Sequence, residues 1–182
     1  FLDLKFHDIP NTVKQAVEAA TRTGAWMINV HISGGTSMMQ AAISASRASA
    51  ASSSYPRPLL VGVTMLTSID TQTLKQIGID RPLREHVVAL AKLAKDTGLD
   101  GVVASPQETA DIRQACGQNF TIVTPGIRGS SAGENNHDQA RTMGPEQAIK
   151  AGADYIVVGR PIIAASDPRV AAQTIVDELA KL

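Results

Sequence analysis

The chain has 182 residues, 43% of them apolar, with 17 basic and 17 acidic side chains. That length fits one domain with a sizeable core, and a formal charge of zero argues against a nucleic-acid-binding surface. Aromatic residues make up only 3%, no run of about 18 apolar residues is available to span a membrane, and the single Cys116 excludes both a disulfide framework and a cysteine zinc cluster. The class expected is a soluble, cytoplasmic α/β protein.

Phe1–Phe6 reads as a strand, and the chain opens inside it without a charged and apolar leader. A domain that opens in mid-strand is expected to have an earlier part upstream. Helical and strand periods then alternate. Helices are expected over Thr12–Thr23, Ser37–Ala51, Arg84–Thr97, Gln107–Cys116, Pro145–Ala151 and Pro168–Leu182. Strands are expected over Trp26–Val30, Leu59–Val63, Gly101–Ala104, Phe120–Thr124 and Tyr155–Gly159. Gly24, Gly98 and Gly152 stand where helices end in a left-handed residue, and Asp167-Pro168 reads as a helix start. Val170, Ile175, Val176 and Leu179 give the last helix an apolar face, and Trp26 is expected in the core. Ser44–Ser54 is expected to run out of its helix into a solvated connector, whereas the long connection Gly126–Met143 has the length of a functional loop.

Strand-then-helix units of about 30 residues predict a parallel sheet covered by helices. A closed (β/α)8 TIM barrel takes eight units and about 250 residues. The six units seen here are expected to be its last six, so residues 1–182 form one domain lacking roughly the first two βα units. An open doubly wound sheet also fits six strands, but no glycine-rich dinucleotide fingerprint follows any of them.

Alternation on the first strand sets Asp3 and Lys5 on one face and Leu2, Leu4 and Phe6 on the other. With the apolar set toward the helices, a carboxylate and an ammonium face the barrel interior. This is either a structural pair or a reactive one. Asp8 follows just past the strand's C-terminal end, the end where barrel enzymes build their sites. Flanking carboxylates favour the ammonium form of Lys5, which suits it to protonating a carbanion and not to forming an imine. A second signal is Gly159-Arg160-Pro161 after the last strand, with Thr124-Pro125-Gly126-Ile127-Arg128 after the one before. Loops at these barrel positions commonly grip phosphate, and glycine and arginine suit that task.

These segments together resemble the orotidine 5′-monophosphate decarboxylase family. The resemblance is carried by Phe1–Val13 (FLDLKFHDIPNTV), Asn29-Val30-His31, Val63–Ser68 (VTMLTS), Gly101-Val102-Val103, Val123–Arg128 (VTPGIR) and Val157–Ile162 (VVGRPI), which span the chain in family order. It implies decarboxylation of orotidine 5′-monophosphate to uridine 5′-monophosphate without cofactor or metal, by a homodimer. By the same resemblance Lys5 is the proton donor to C6 and Asp3 lies beside the substrate carboxylate. Asp8 enters the neighbouring subunit's site, with Ile9 and Thr12 on the same segment. Thr67 and Pro125 belong to the substrate pocket, and Arg128, Gly159 and Arg160 to the phosphate grip. Gln139 folds over the phosphate. The resemblance also implies a ribose-binding aspartate and a second catalytic lysine in the two units not seen.

Two other functions share parts of this pattern. One is a metal-dependent phosphosugar lyase or decarboxylase, and the other a non-catalytic nucleotide-binding barrel. Ile9-Pro10-Asn11-Thr12 beside Asp8 favours the decarboxylase over both. The four histidines make no metal motif, His31 is a candidate to line the cleft, and His7 is expected to pack or meet solvent.

Overall fold

The structure, a computed structural model, describes residues 1–128 and 141–182. Six strands form one sheet in chain order: β1 (Leu2–Phe6), β2 (Met27–His31), β3 (Leu59–Val63), β4 (Gly101–Val103), β5 (Thr121–Thr124) and β6 (Tyr155–Ile156). Every neighbouring pair is parallel. Between and after them come α1 (Pro10–Thr21), α2 (Gly35–Ala51), α3 (Thr71–Gln76), α4 (Leu83–Thr97), α5 (Thr109–Cys116), α6 (Pro145–Lys150), α7 (Arg160–Ile163) and α8 (Pro168–Leu179).

This order decides between the two architectures. A doubly wound sheet reverses its strand order at a switch point, and here the order never reverses. The sheet also curls. Trp26, just before β2, and Tyr155, at the start of β6, bring their rings to 5.2 Å between centroids. Four strand spacings in a flat sheet would separate them by about 19 Å. The fold is thus six consecutive units of a TIM-type barrel, with β1 and β6 at the open edges.

Strand alternation sorts the core into two layers. Ile28, Val30, Leu60, Val102 and Ile122 point outward and are sealed by Val13, Val17, Met38, Met39, Val87 and Ile112 from the helices. Each such large side chain contributes about 1.5–3 kcal/mol by leaving water. Met27, Val61, Val63, Val103 and Val123 form a smaller cluster on the concave face. The helix ends obey their local chemistry. Gly24, Gly98 and Gly152 take φ of 79°, 99° and 105°, and the Asp167 carboxylate accepts from the backbone N–H groups of Arg169 and Val170 at 2.9 and 3.0 Å.

Several expectations are corrected. Residues 44–51 are helical, as the expected helix Ser37–Ala51 required, but they do not run out into a solvated connector: Ser46 and Ser49 are buried because small side chains let α2 lie close against α1, and the Ser49 hydroxyl donates to the Glu18 carbonyl at 3.2 Å. Trp26 is 47% exposed, since its ring partner belongs to an edge strand. Leu4 is 52% exposed because a bulge interrupts the alternation of β1. The last helix buries no residue, and Val170 and Val176 stay exposed on the open side of the sheet. β6 keeps only two of its five expected residues, as an edge strand with β5 alone beside it. Two short helices, α3 and α7, were not expected, because at six and four residues they are too short to show a helical period.

Candidate active site

The site begins with a defect in β1. Leu2 pairs with Ile28 and Phe6 with Val30, so four steps on β1 match two on β2. The excess is absorbed around Lys5, whose φ of 51° is the one positive value at a non-glycine among the described residues. Its N–H donates to the Asn29 side-chain oxygen at 2.7 Å. The Asn29 amide nitrogen in turn donates to Asp3 Oδ1 at 2.6 Å. Lys5 Nζ closes the triangle, donating to both Asp3 carboxylate oxygens at 2.7 Å.

Magnitudes say what this triangle is not. A left-handed non-glycine residue costs about 1–3 kcal/mol. The Lys5 and Asp3 side chains are 37% and 44% exposed, and an ion pair that open to water contributes about 0–1 kcal/mol. The pair does not repay its own backbone strain. Its stabilisation comes from Asn29, which is fully buried and spends both ends of its amide on the bulge. Strain held in place by a buried scaffold is characteristic of functional sites.

Asp3 and Lys5 open onto a cavity of about 310 Å3 at the C-terminal ends of the strands. Its wall includes Thr67 after β3, Ala104 after β4, Pro125 after β5 and Val157 after β6. The curled sheet thus gathers Asp3, Lys5, Thr67 and Pro125 around one space. Gly159 and Arg160 follow Val157 at the head of α7. Other candidates lie elsewhere. Arg128 lines a separate depression with Met143, Gln147 and Glu178, and its guanidinium donates to the Ile127 carbonyl at 3.2 Å. The Asp8 carboxylate accepts from the N–H of Ile9 at 2.6 Å, and within this chain Lys5 pairs with Asp3 alone among the described residues. Asp8, Ile9 and Thr12 are all exposed. Gln139 lies outside the described residues.

Sequence reasoning passed over Asn29 as a site residue. The signal was present: on β2 it shares the inward parity of Met27 and His31, and an amide buried in an apolar strand needs partners. His31 packs its ring against that of His7, 5.2 Å between centroids. Burial, and then the charges of His7 and Lys5, hold the His31 imidazole below its ordinary pKa, with Asp3 opposing. Among the described residues no three His, Cys, Asp or Glu side chains gather as a metal site, and no helix is long and apolar enough to cross a membrane.

Comparison with known proteins meets this geometry from another side. The sequence profile described as orotidine 5′-phosphate decarboxylase / HUMPS family matches residues 1–175. The orotidine 5′-phosphate decarboxylase of Syntrophotalea carbinolica is 57% identical over 180 residues, covering 99% of this chain and 73% of that protein. The enzyme of the same name from Moorella thermoacetica is 52% identical over 180 residues, covering 98% of this chain and 71% of the other. Among solved structures, orotidine 5′-phosphate decarboxylase from Lactobacillus acidophilus superposes with a TM-score of 0.84 at 38% identity, covering 98% of this chain and 74% of that one. The chain therefore belongs to the orotidine 5′-phosphate decarboxylase / HUMPS family.

Proposed function

We propose that the protein is a cytoplasmic decarboxylase, converting orotidine 5′-monophosphate to uridine 5′-monophosphate and carbon dioxide. The observation that carries this reading is the Asp3–Lys5 pair, braced by Asn29 and open to the strand-end cavity. The names of its relatives support the substrate.

In this reading the pyrimidine lies in the cavity against Thr67 and Pro125, with its C6 carboxylate near Asp3. Two carboxylates brought together repel, and loss of carbon dioxide removes one of the charges. The C6–carboxylate bond breaks, its electron pair stays on C6, and the Lys5 ammonium stabilises the charge that develops there. Lys5 then gives its proton to C6, completing uridine 5′-monophosphate. The step moves one proton and one electron pair, so it calls for no cofactor. Gly159 and Arg160 receive the phosphate as it emerges beside Val157. Binding energy at this remote phosphate is then available to organise the reacting centre. Asp8, with Ile9 and Thr12, reaches the site of a second copy in a homodimer. The exposure of this row, Ile9 at 66%, supports that role.

The test follows the loss of orotidine 5′-monophosphate absorbance with the full-length protein and a metal chelator present. Turnover is expected. A folded protein that binds uridine 5′-monophosphate without turning over orotidine 5′-monophosphate would overturn the reading in favour of a nucleotide-binding barrel, and turnover lost only with chelator would favour a metal-dependent lyase.

A further inference from the structure

Arg141 is buried, far along the chain from the strand ends it touches. Its Nη1 donates to Glu108 Oε1 at 2.7 Å and its Nη2 to the carbonyl oxygen of Leu66 at 2.8 Å. The two side chains are 6% and 5% exposed. Three loops meet here. Leu66 follows β3, Glu108 stands just before α5 after β4, and Arg141 precedes Met143, whose backbone exchanges hydrogen bonds with Gly126 and Arg128 after β5.

Stability alone is a poor explanation for this arrangement. Taking two charges out of water costs several kcal/mol for each ion, and apolar residues of the same volume often do as well or better. Glu108 Oε2 and Arg141 Nε have no hydrogen-bond partner among the described residues, which weakens the compensation further. What the guanidinium supplies is a fixed point. Thr64 is anchored to the Val103 carbonyl, and α3 begins at Thr71. Between them, among the described residues, the bond from Arg141 is the one hydrogen bond tying residues 65–69 to the rest of the molecule. Leu66, Thr67 and Ser68 line the same cavity as Asp3 and Lys5.

We propose that Arg141 is a positioning residue for the decarboxylase pocket: held by Glu108, it pins the Leu66 carbonyl and thereby sets Thr67 and Ser68 in the pocket wall. The proposal rests on reading that cavity as the substrate pocket. Lysine at this position keeps a positive charge for Glu108, but its compact ammonium lacks the fork that serves both acceptors. In the full-length protein, Arg141→Lys is expected to lower kcat/KM for orotidine 5′-monophosphate about 10- to 100-fold, the scale of a small misplacement of pocket groups. Thr67→Ala is expected to cause a loss of its own, and the double variant to fall little below the worse single one, because both act on one contact. The Ile69 amide, which donates to the same Leu66 carbonyl at 2.9 Å, is expected to exchange its hydrogen at least about tenfold faster, as local opening becomes easier. Losses that multiply in the double variant, or unchanged Ile69 exchange in a folded Arg141→Lys protein, would overturn the proposal. Should Arg141→Lys not fold, Glu108→Gln, which keeps shape and an acceptor oxygen, is read by the same two measures. A wild-type protein without turnover would sink the decarboxylase reading, while Ile69 exchange would still decide whether Arg141 pins the wall.

Discussion

The two ends of the sheet use the same kinds of charge in opposite ways. At the N-terminal end, Asp100 and Asp154 occupy matching positions just before and at the approach to β4 and β6. The Asp100 carboxylate accepts from Arg57 at 2.5 and 3.0 Å and from the Leu60 N–H at 2.7 Å. The Asp154 carboxylate accepts from Arg113 and from the Ile122 N–H, both at 2.7 Å. Arg113 also donates to the carbonyls of Gly117, Gln118, Phe120 and Gly152, so one guanidinium sews two loops together. Here charge is spent on backbone. At the C-terminal end, Lys5 and Asp3 are half-open, sit on a strained bulge and face a cavity. A saturated network serves the fold, and one that keeps donors and acceptors facing a cavity is left able to act on a ligand.

The sharpest way to break this contrast is to remove one cation from each end. Lys5→Ala is expected to cut turnover of orotidine 5′-monophosphate by at least about a thousandfold, since in the proposed mechanism it deletes both the proton donor and the charge facing C6. Binding of uridine 5′-monophosphate should change far less; a variant with near-normal turnover would remove Lys5 from the chemistry. Arg113→Met should do the reverse. Its side chain is 11% exposed, whereas Asp154 is 41% exposed, so the cost comes mainly from the backbone carbonyls left without a donor and is expected to be about 2 kcal/mol in urea denaturation. Turnover per folded molecule should hold, and a specific loss of kcat would mean the two ends are coupled.

The smallest effect expected is a pH dependence at His31, which stands beside the open end. Its folded-state pKa lies below the ordinary 6.5. Between those two values the unfolded chain binds a proton that the folded one does not, so stability falls as pH drops through this window and is fully present above it. His86 is shifted in the same direction by burial and Arg81, and so adds to the slope. His31→Gln should therefore flatten, without abolishing, the loss of stability below pH 6.5. Parallel curves for the variant and the parent would show that His31 titrates alike in both states.

Much of this contrast was legible in the residues. The Asp3-x-Lys5 spacing put both charges on one strand face, and Gly159-Arg160 marked the last strand end, because strand periodicity is a local property. Asn29 was less visible. Its role depends on the register between β1 and β2, and the two-residue excess at Lys5 appears in no single segment. The same is true of Arg141, whose partners Glu108 and Leu66 lie 33 and 75 residues away. Ser44–Ser54 misled for a related reason. Serine-rich composition suggests a solvated loop, but contact with α1 made small side chains an asset in a buried helix face.

The sequence by itself determined the alternation of strands and helices, most of their bounds, the helix-ending glycines and the family motifs. These follow from local periodicity, backbone preference and residue order, which act over a few neighbours. Only the tertiary structure decided that the sheet curls without reversing, that β1 bulges at Lys5, that Asn29 braces the bulge and that Arg141 crosses to Leu66. Those are matters of register and of contacts between distant segments. They are set by how the layers pack, and packing energy belongs to pairs of surfaces and not to any one stretch of chain.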